Sequence, residues 1–156
     1  MAVKNITSNI APEKTIMEIE QILARFGAKA ILKQYEGRYP IGICFQLETE
    51  KGQLVPFKLP MKIEQARMII QRAVDERKLT KKFRQEPLRT EKALIVGWRI
   101  IKDWIHAQLS LIEMNYAQAI EIFLPYIYDN RTSQTFFEKV EQSKFLLALE
   151  PPVKAR

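Results

Sequence analysis

The sequence predicts an α+β fold: a helix, a three-stranded antiparallel sheet, a second helix, a long central helix and a helical C-terminal part, within one domain over 1–156. Three observations carry this. Residues 12–26 and 91–114 repeat apolar side chains at three- and four-residue steps, the period of a helix face. Residues 41–47 and 55–59 alternate apolar and other positions, the period of a half-buried strand. Gly27, Glu36-Gly37, Lys51-Gly52 and Pro60 separate the two kinds of pattern. Pro60 divides the domain into a helix plus meander (12–60) and a helical part (61–156).

Residues 1–10 are polar and are expected to be loosely held. Pro12 suits a first helical position and Glu13 the positive end of the helix dipole. Ile16, Ile19, Leu23 and Phe26 keep helical spacing up to Gly27, a C-terminal cap. Ala28–Tyr35 reads as a first strand. In the second, Ile41, Ile43, Phe45 and Leu47 alternate with Gly42, Cys44, Gln46 and Glu48. Cys44 therefore points away from the apolar face, under a second layer, and nothing marks it as reactive. Val55, Phe57 and Leu59 form the third strand, which Pro56 assigns to an edge because proline has no N–H to donate.

Ile63, Ala66, Ile70, Ala73 and Val74 predict a second helix to about Lys78. Leu79–Arg89 is a basic connecting loop containing Pro87, and Thr90 is the expected cap of the long helix. On that helix Leu94, Trp98, Ile101, Ile105 and Ile112 form a stripe that Ala93, Ile100, Trp104 and Leu111 widen. Lys92, Arg99, Lys102 and His106 lie opposite, with Arg89 just ahead in the same sector. So wide an apolar face calls for several covering elements or a second subunit. Gly97 costs about 1 kcal/mol relative to alanine inside a helix. It implies close approach of another helix, and Gly97, Trp98 and Trp104 mark a homodimer contact. After a break near Asn115, Ala117, Ile120, Ile122 and Phe123 continue the pattern to Pro125. Tyr126-Ile127-Tyr128 runs into an Asp129-Asn130 turn, and Thr132 or Ser133 starts a last helix carrying Phe136, Phe137 and Val140. Phe145-Leu146-Leu147 is expected to pack back on the core, and Pro151-Pro152 to close the structure.

A 47% hydrophobic, 28% charged composition belongs to a folded chain. No apolar run approaches the roughly 20 residues of a membrane span. MAVKNITSNIAPEK lacks the apolar core of a secretory signal. A single cysteine excludes an internal disulfide and points to a reducing compartment, the cytoplasm. Ten cations lie between Arg72 and Lys102 against Asp75, Glu76, Glu86 and Glu91, so this segment carries +6 of the total +7. Such an excess attracts polyanions, nucleic acid above all.

The candidate nucleic-acid-binding residues are Arg77, Lys78, Lys81, Lys82, Phe83, Arg84, Arg89, Lys92, Arg99 and Lys102. Two roles are open to Phe83: a ring between cations that stacks on a base, or an anchor holding the loop to the core. Contacts to phosphates would bind without reading sequence and weaken with salt. No helix-turn-helix, zinc-finger or RNA-recognition motif is present. One His and one Cys supply no zinc set, and Glu48, Glu50, Asp103 and Glu113 read as solvated acids. His106 reads as a surface residue and the five glycines are never grouped into a phosphate loop. No catalytic residue, metal ligand or cofactor is assigned.

The order helix, three strands, helix over 12–78 resembles double-stranded-RNA-binding domains. Where those domains open their second helix with a lysine cluster, this chain has Met61-Lys62-Ile63-Glu64-Gln65. The segments PEKTIMEIEQILARFGAKAIL and WRIIKDWIHAQLSLIE are similar to small proteins of uncharacterised activity encoded by bacteriophages and prophages. That resemblance implies a place in the host cytoplasm, in phage DNA or RNA metabolism or in interference with host defence. The leading expectation is a non-enzymatic nucleic-acid-binding accessory protein of phage or mobile-element origin. The alternatives are an anti-defence inhibitor engaging a host nuclease or effector protein, and a small-nucleotide binder.

Overall fold

The computed structural model describes residues 2–115 and 117–145. Helix α1 (Pro12–Phe26) is followed by strands β1 (Ala30–Glu36), β2 (Tyr39–Glu48) and β3 (Leu54–Pro60), helix α2 (Ile63–Asp75) and the long helix α3 (Leu88–Glu113). Gly27 ends α1 at φ 105°, a left-handed angle that glycine adopts without steric cost. The strands form an antiparallel meander in the order β1-β2-β3, with Phe45 paired to both Ile31 and Phe57. This is the α+β architecture expected, with Pro56 on an edge strand.

Alternation delivers one apolar sheet face. Ile43, Phe45, Leu47, Phe57 and Leu59 are buried with Ile16, Ile19 and Leu23 of α1 and Leu94, Trp98, Ile105 and Leu109 of α3. The fully buried Trp98 donates its indole N–H to the Pro40 carbonyl at 3.1 Å, so its one polar atom is satisfied inside the core. A second cluster, Ile70, Ala93 and Val96, joins α2 to the opposite side of α3. Cys44 lies on the other sheet face and is half-buried; burial pushes its thiol pKa up.

Several local expectations are corrected. Residues 2–10 are tied down: Asn5 donates to Asp103 at 2.9 Å, and Val3 and Ile6 pack against the second cluster. Helix α2 stops at Asp75, short of Lys78. Helix α3 begins at Leu88, so Thr90 lies inside its first turn, and Glu86 does the capping by accepting the Thr90 N–H at 3.2 Å. Gly97 admits Met61, not another helix: a Cβ there would stand 2.6 Å from the Met61 sulfur.

The C-terminal part is less purely helical than its apolar pattern suggested. Helix α4 (Ala119–Phe123) and a 3-10 turn (Leu124–Tyr126) lead into a small hairpin of β4 (Tyr128–Asp129) and β5 (Gln134–Thr135). Ile127 bridges Phe57, so this segment continues the sheet beyond β3. Helix α5 (Phe136–Gln142) starts with a capping box of Thr135 and Glu138, later than Thr132 or Ser133. Phe145 is 45% exposed, and Leu146, Leu147, Pro151 and Pro152 lie outside the described residues.

Candidate nucleic-acid interface

The basic segment folds into two places of different character. Its first half makes the corner between α2 and α3. Helix α2 ends in a Schellman motif, with Arg77 N–H on the Val74 carbonyl at 3.0 Å and Lys78 N–H on the Ala73 carbonyl at 2.8 Å. Arg77 takes the left-handed angle the motif requires, φ 60°. The reversal returns Leu79 to the core, and four residues later Phe83 joins it against Ile70, Ala93 and Val96. Between and beyond these anchors Lys81, Lys82 and Arg84 of a 3-10 turn (Lys81–Arg84) stand exposed.

Of the two roles open to Phe83, the packing favours the anchor. Its ring is half-buried, and the Lys82 and Lys92 ammonium groups lie 5.0 and 5.5 Å from the ring centre, within cation–π range.

The second half lies on α3, and there the cations are taken up by the fold. Arg89 donates to Glu86 at 3.0 Å and to Gln71 at 3.3 Å. Arg99 and Lys102 share Glu18 of α1 at 2.9 and 2.5 Å. The Lys102 hydrogen bond, despite partial desolvation, leads in holding the Glu18 carboxyl below its usual range. Lys92, expected on the charged outer side, is 2% exposed. Its ammonium donates to the Ser8 carbonyl and, at 3.3 Å, to Asn9, with no carboxylate beside it. Burial first, then the Lys82 charge, lowers its pKa. A helical wheel cannot show this, because the covering segment lies over 80 residues away in sequence.

Glu86 organises the junction. It accepts the Thr90 hydroxyl at 2.7 Å, the Thr90 N–H, Arg89, and Arg67 at 2.6 Å. Desolvation would raise its pKa, but these hydrogen bonds outweigh that and hold it at about 2.

At the corner itself Lys78 pairs with Glu76, and Arg84 with Asp75 at 2.9 Å. Arg72, Arg77, Lys81 and Lys82 have no ion pair among the described residues. Arg72 was counted in the charged segment but not in the candidate set; its exposure on the last turn of α2 adds it. A shallow groove of about 390 Å³ adjoins it, lined by Arg67, Arg72, Arg89, Met68 and Gln71 with the acids Glu64 and Asp75. The corner thus gathers cations on an exposed ridge. That arrangement can hold phosphates but offers no free aromatic platform for a base.

The remaining candidates are placed as follows. Trp104 packs against Phe123 and Tyr126, ring centres 5.8 and 5.4 Å away. With Trp98 buried and Gly97 under Met61, all three residues of the expected dimer contact meet neighbours within the chain. His106 is exposed, Glu48 pairs with Lys29 and Asp103 with Lys4. Among the described residues no three His, Cys, Asp or Glu side chains gather as metal ligands, and no helix is long and apolar enough to cross a membrane. No protein-family model, curated protein or solved structure matches the chain, so its functional reading starts from these residues.

Proposed function

We propose that the protein is a non-enzymatic nucleic-acid-binding accessory protein that holds phosphates at the α2–α3 corner. One observation carries this reading: Arg72, Arg77, Lys81 and Lys82 are exposed within residues 72–82 and none has a carboxylate partner among the described residues. Lys78 and Arg84, paired only with exposed acids, can exchange those partners for phosphates at little cost. Binding is sequence-independent, because phosphate contacts position a strand without reading it. Each phosphate neutralised adds roughly 0.7–0.9 to the slope of log affinity against log salt.

The test is fluorescence anisotropy with labelled single-stranded DNA, double-stranded DNA and RNA at two salt concentrations. We expect binding that weakens with salt and that Lys81→Glu with Lys82→Glu reduces at least about tenfold, some 1.4 kcal/mol. Absence of binding at low salt refutes the proposal and turns attention to a protein partner.

A further inference from the structure

One cation of the basic segment is neither on the exposed ridge nor in an ion pair. Lys92 is 2% exposed, and the groups that accept from its ammonium are neutral: the Ser8 carbonyl and, at 3.3 Å, the Asn9 side-chain oxygen. Among the described residues no carboxylate of the N-terminal segment, α1, α2 or α3 pairs with it. The Phe83 ring stands 5.5 Å from it, and the exposed Lys82 lies 5.0 Å from the same ring. The charge that acts on Lys92 is therefore that of another cation, within about 10 Å.

Burying an ammonium without an opposite charge costs free energy that neutral acceptors only partly offset. Holding residues 8 and 9 does not require that charge, because a neutral amine can donate to both acceptors. The positive charge is thus surplus to the tether. It shares an aromatic ring with one of the lysines on which the corner reading rests.

We propose that Lys92 is a positioning residue of the corner that acts by its charge: the buried ammonium draws a phosphate onto Lys82 across the Phe83 ring without touching it. The inference rests on the corner reading and adds a residue that no surface count includes. Water and salt screen the exposed cations, whereas a desolvated charge acts through the low-dielectric ring and core. At about 10 Å and an effective dielectric of about 20, one unit charge strengthens the hold on an anion by up to about tenfold. Lys92 reaches no phosphate and so displaces no counterion from the strand. It raises affinity while leaving the slope of log affinity against log salt unchanged.

Anisotropy with labelled single-stranded DNA, double-stranded DNA and RNA tests it in Lys92→Met, which keeps an unbranched side chain and removes the charge. Near neutral pH the variant is expected to bind about three- to tenfold more weakly than wild type, with the same salt slope. That ratio is expected to close towards one as the pH rises towards 10.5, because burial makes Lys92 lose its charge below that ordinary value. A merely structural role leaves the ratio independent of pH, since the neutral amine still holds Ser8 and Asn9. The wild-type chain supplies a second measurement that needs no variant to fold. In lysine carbon-13 NMR the titration midpoint of Lys92 is expected to rise when the oligonucleotide is added, as reciprocal coupling requires. Equal affinities near neutral pH, a ratio that ignores pH, or a midpoint that does not move overturns the proposal. Each leaves the corner reading standing as long as Lys81→Glu with Lys82→Glu weakens binding. Absence of wild-type binding at low salt refutes both.

Discussion

Lys81 and Lys82 at the corner and Arg99 and Lys102 on α3 belong to one basic stretch, yet the fold treats them oppositely. Arg99 and Lys102 meet Glu18, which is 81 and 84 residues distant in sequence. Lys81 and Lys82 have no ion pair among the described residues, and the neighbouring acids Asp75 and Glu76 are already held by Arg84 and Lys78. A charge count over a window registers cations before distant residues have been set against them. What remains for a ligand is the part that the fold leaves uncompensated. On that argument the proposed binding surface is a few residues of the corner, while Arg99 and Lys102 tie α3 to α1.

The largest expected effect concerns Phe83, where the two halves meet. Truncating it removes the loop's second anchor from the Ile70, Ala93 and Val96 cluster. Because the ring is only half-buried, Phe83→Ala should cost about 2 kcal/mol, below the range for a full core phenylalanine. Phe83→Leu should retain most of that stability. Urea unfolding measures both. Oligonucleotide affinity of the folded Phe83→Leu protein should match wild type within about twofold. A loss of about tenfold or more would mean that the ring stacks on bases, each such contact being worth about 1–3 kcal/mol.

A smaller effect separates this tie from the corner directly. Arg99→Ala with Lys102→Ala leaves Glu18 without its partners at side-chain exposures of 17, 21 and 26%. The expected loss is about 1 kcal/mol, or about 2–4 °C in a thermal melt of a chain this size. Binding of nucleic acid should not change. If this pair weakened binding as much as the reversal at Lys81 and Lys82, the comparison would fail and the interface would extend along α3.

The sequence was most informative where the physics is local. Gly27, the alternation of residues 41–47 and Pro56 each act within a few residues, and all three led to the observed elements. The layout failed where distant or context-dependent partners decide. Thr90 looked like a cap because its type suits one; the helix starts earlier, and Glu86 caps it from outside by accepting the Thr90 N–H. The hairpin at 128–135 pairs only two residues per strand, too few to alternate, and depends on Phe57 for its attachment. Lys92 fell on the polar side of a helical wheel, while the covering segment, residues 2–10, carried no amphipathic signal. Within the candidate site the corner was legible because Lys81, Lys82 and Arg84 are local and flank an apolar anchor. The fate of Arg99 and Lys102 was not, since nothing near them in sequence names Glu18.

The smallest effect isolates the junction between the two halves. Glu86 has a folded-state pKa of about 2, against an ordinary value of 4.5. Its folded value is depressed, so between these limits the unfolded chain binds more protons than the folded one, and stability falls as the solution is acidified. The contribution is complete above about 4.5 and disappears as the pH drops through about 2. Other paired carboxylates, Glu18 and Asp103 among them, add to the acid loss in any variant, so the informative quantity is a difference. Glu86→Gln keeps an acceptor for Thr90 but removes the charge that Arg67 and Arg89 share. It should be less stable near neutrality and lose less of its remaining stability on going from about pH 5 to about pH 3, measured by urea midpoints. Because the Glu86 side chain is 40% exposed, solvent screens the charge and the difference should be modest. Equal acid losses in the two proteins would show that the carboxylate is not what joins the corner to α3.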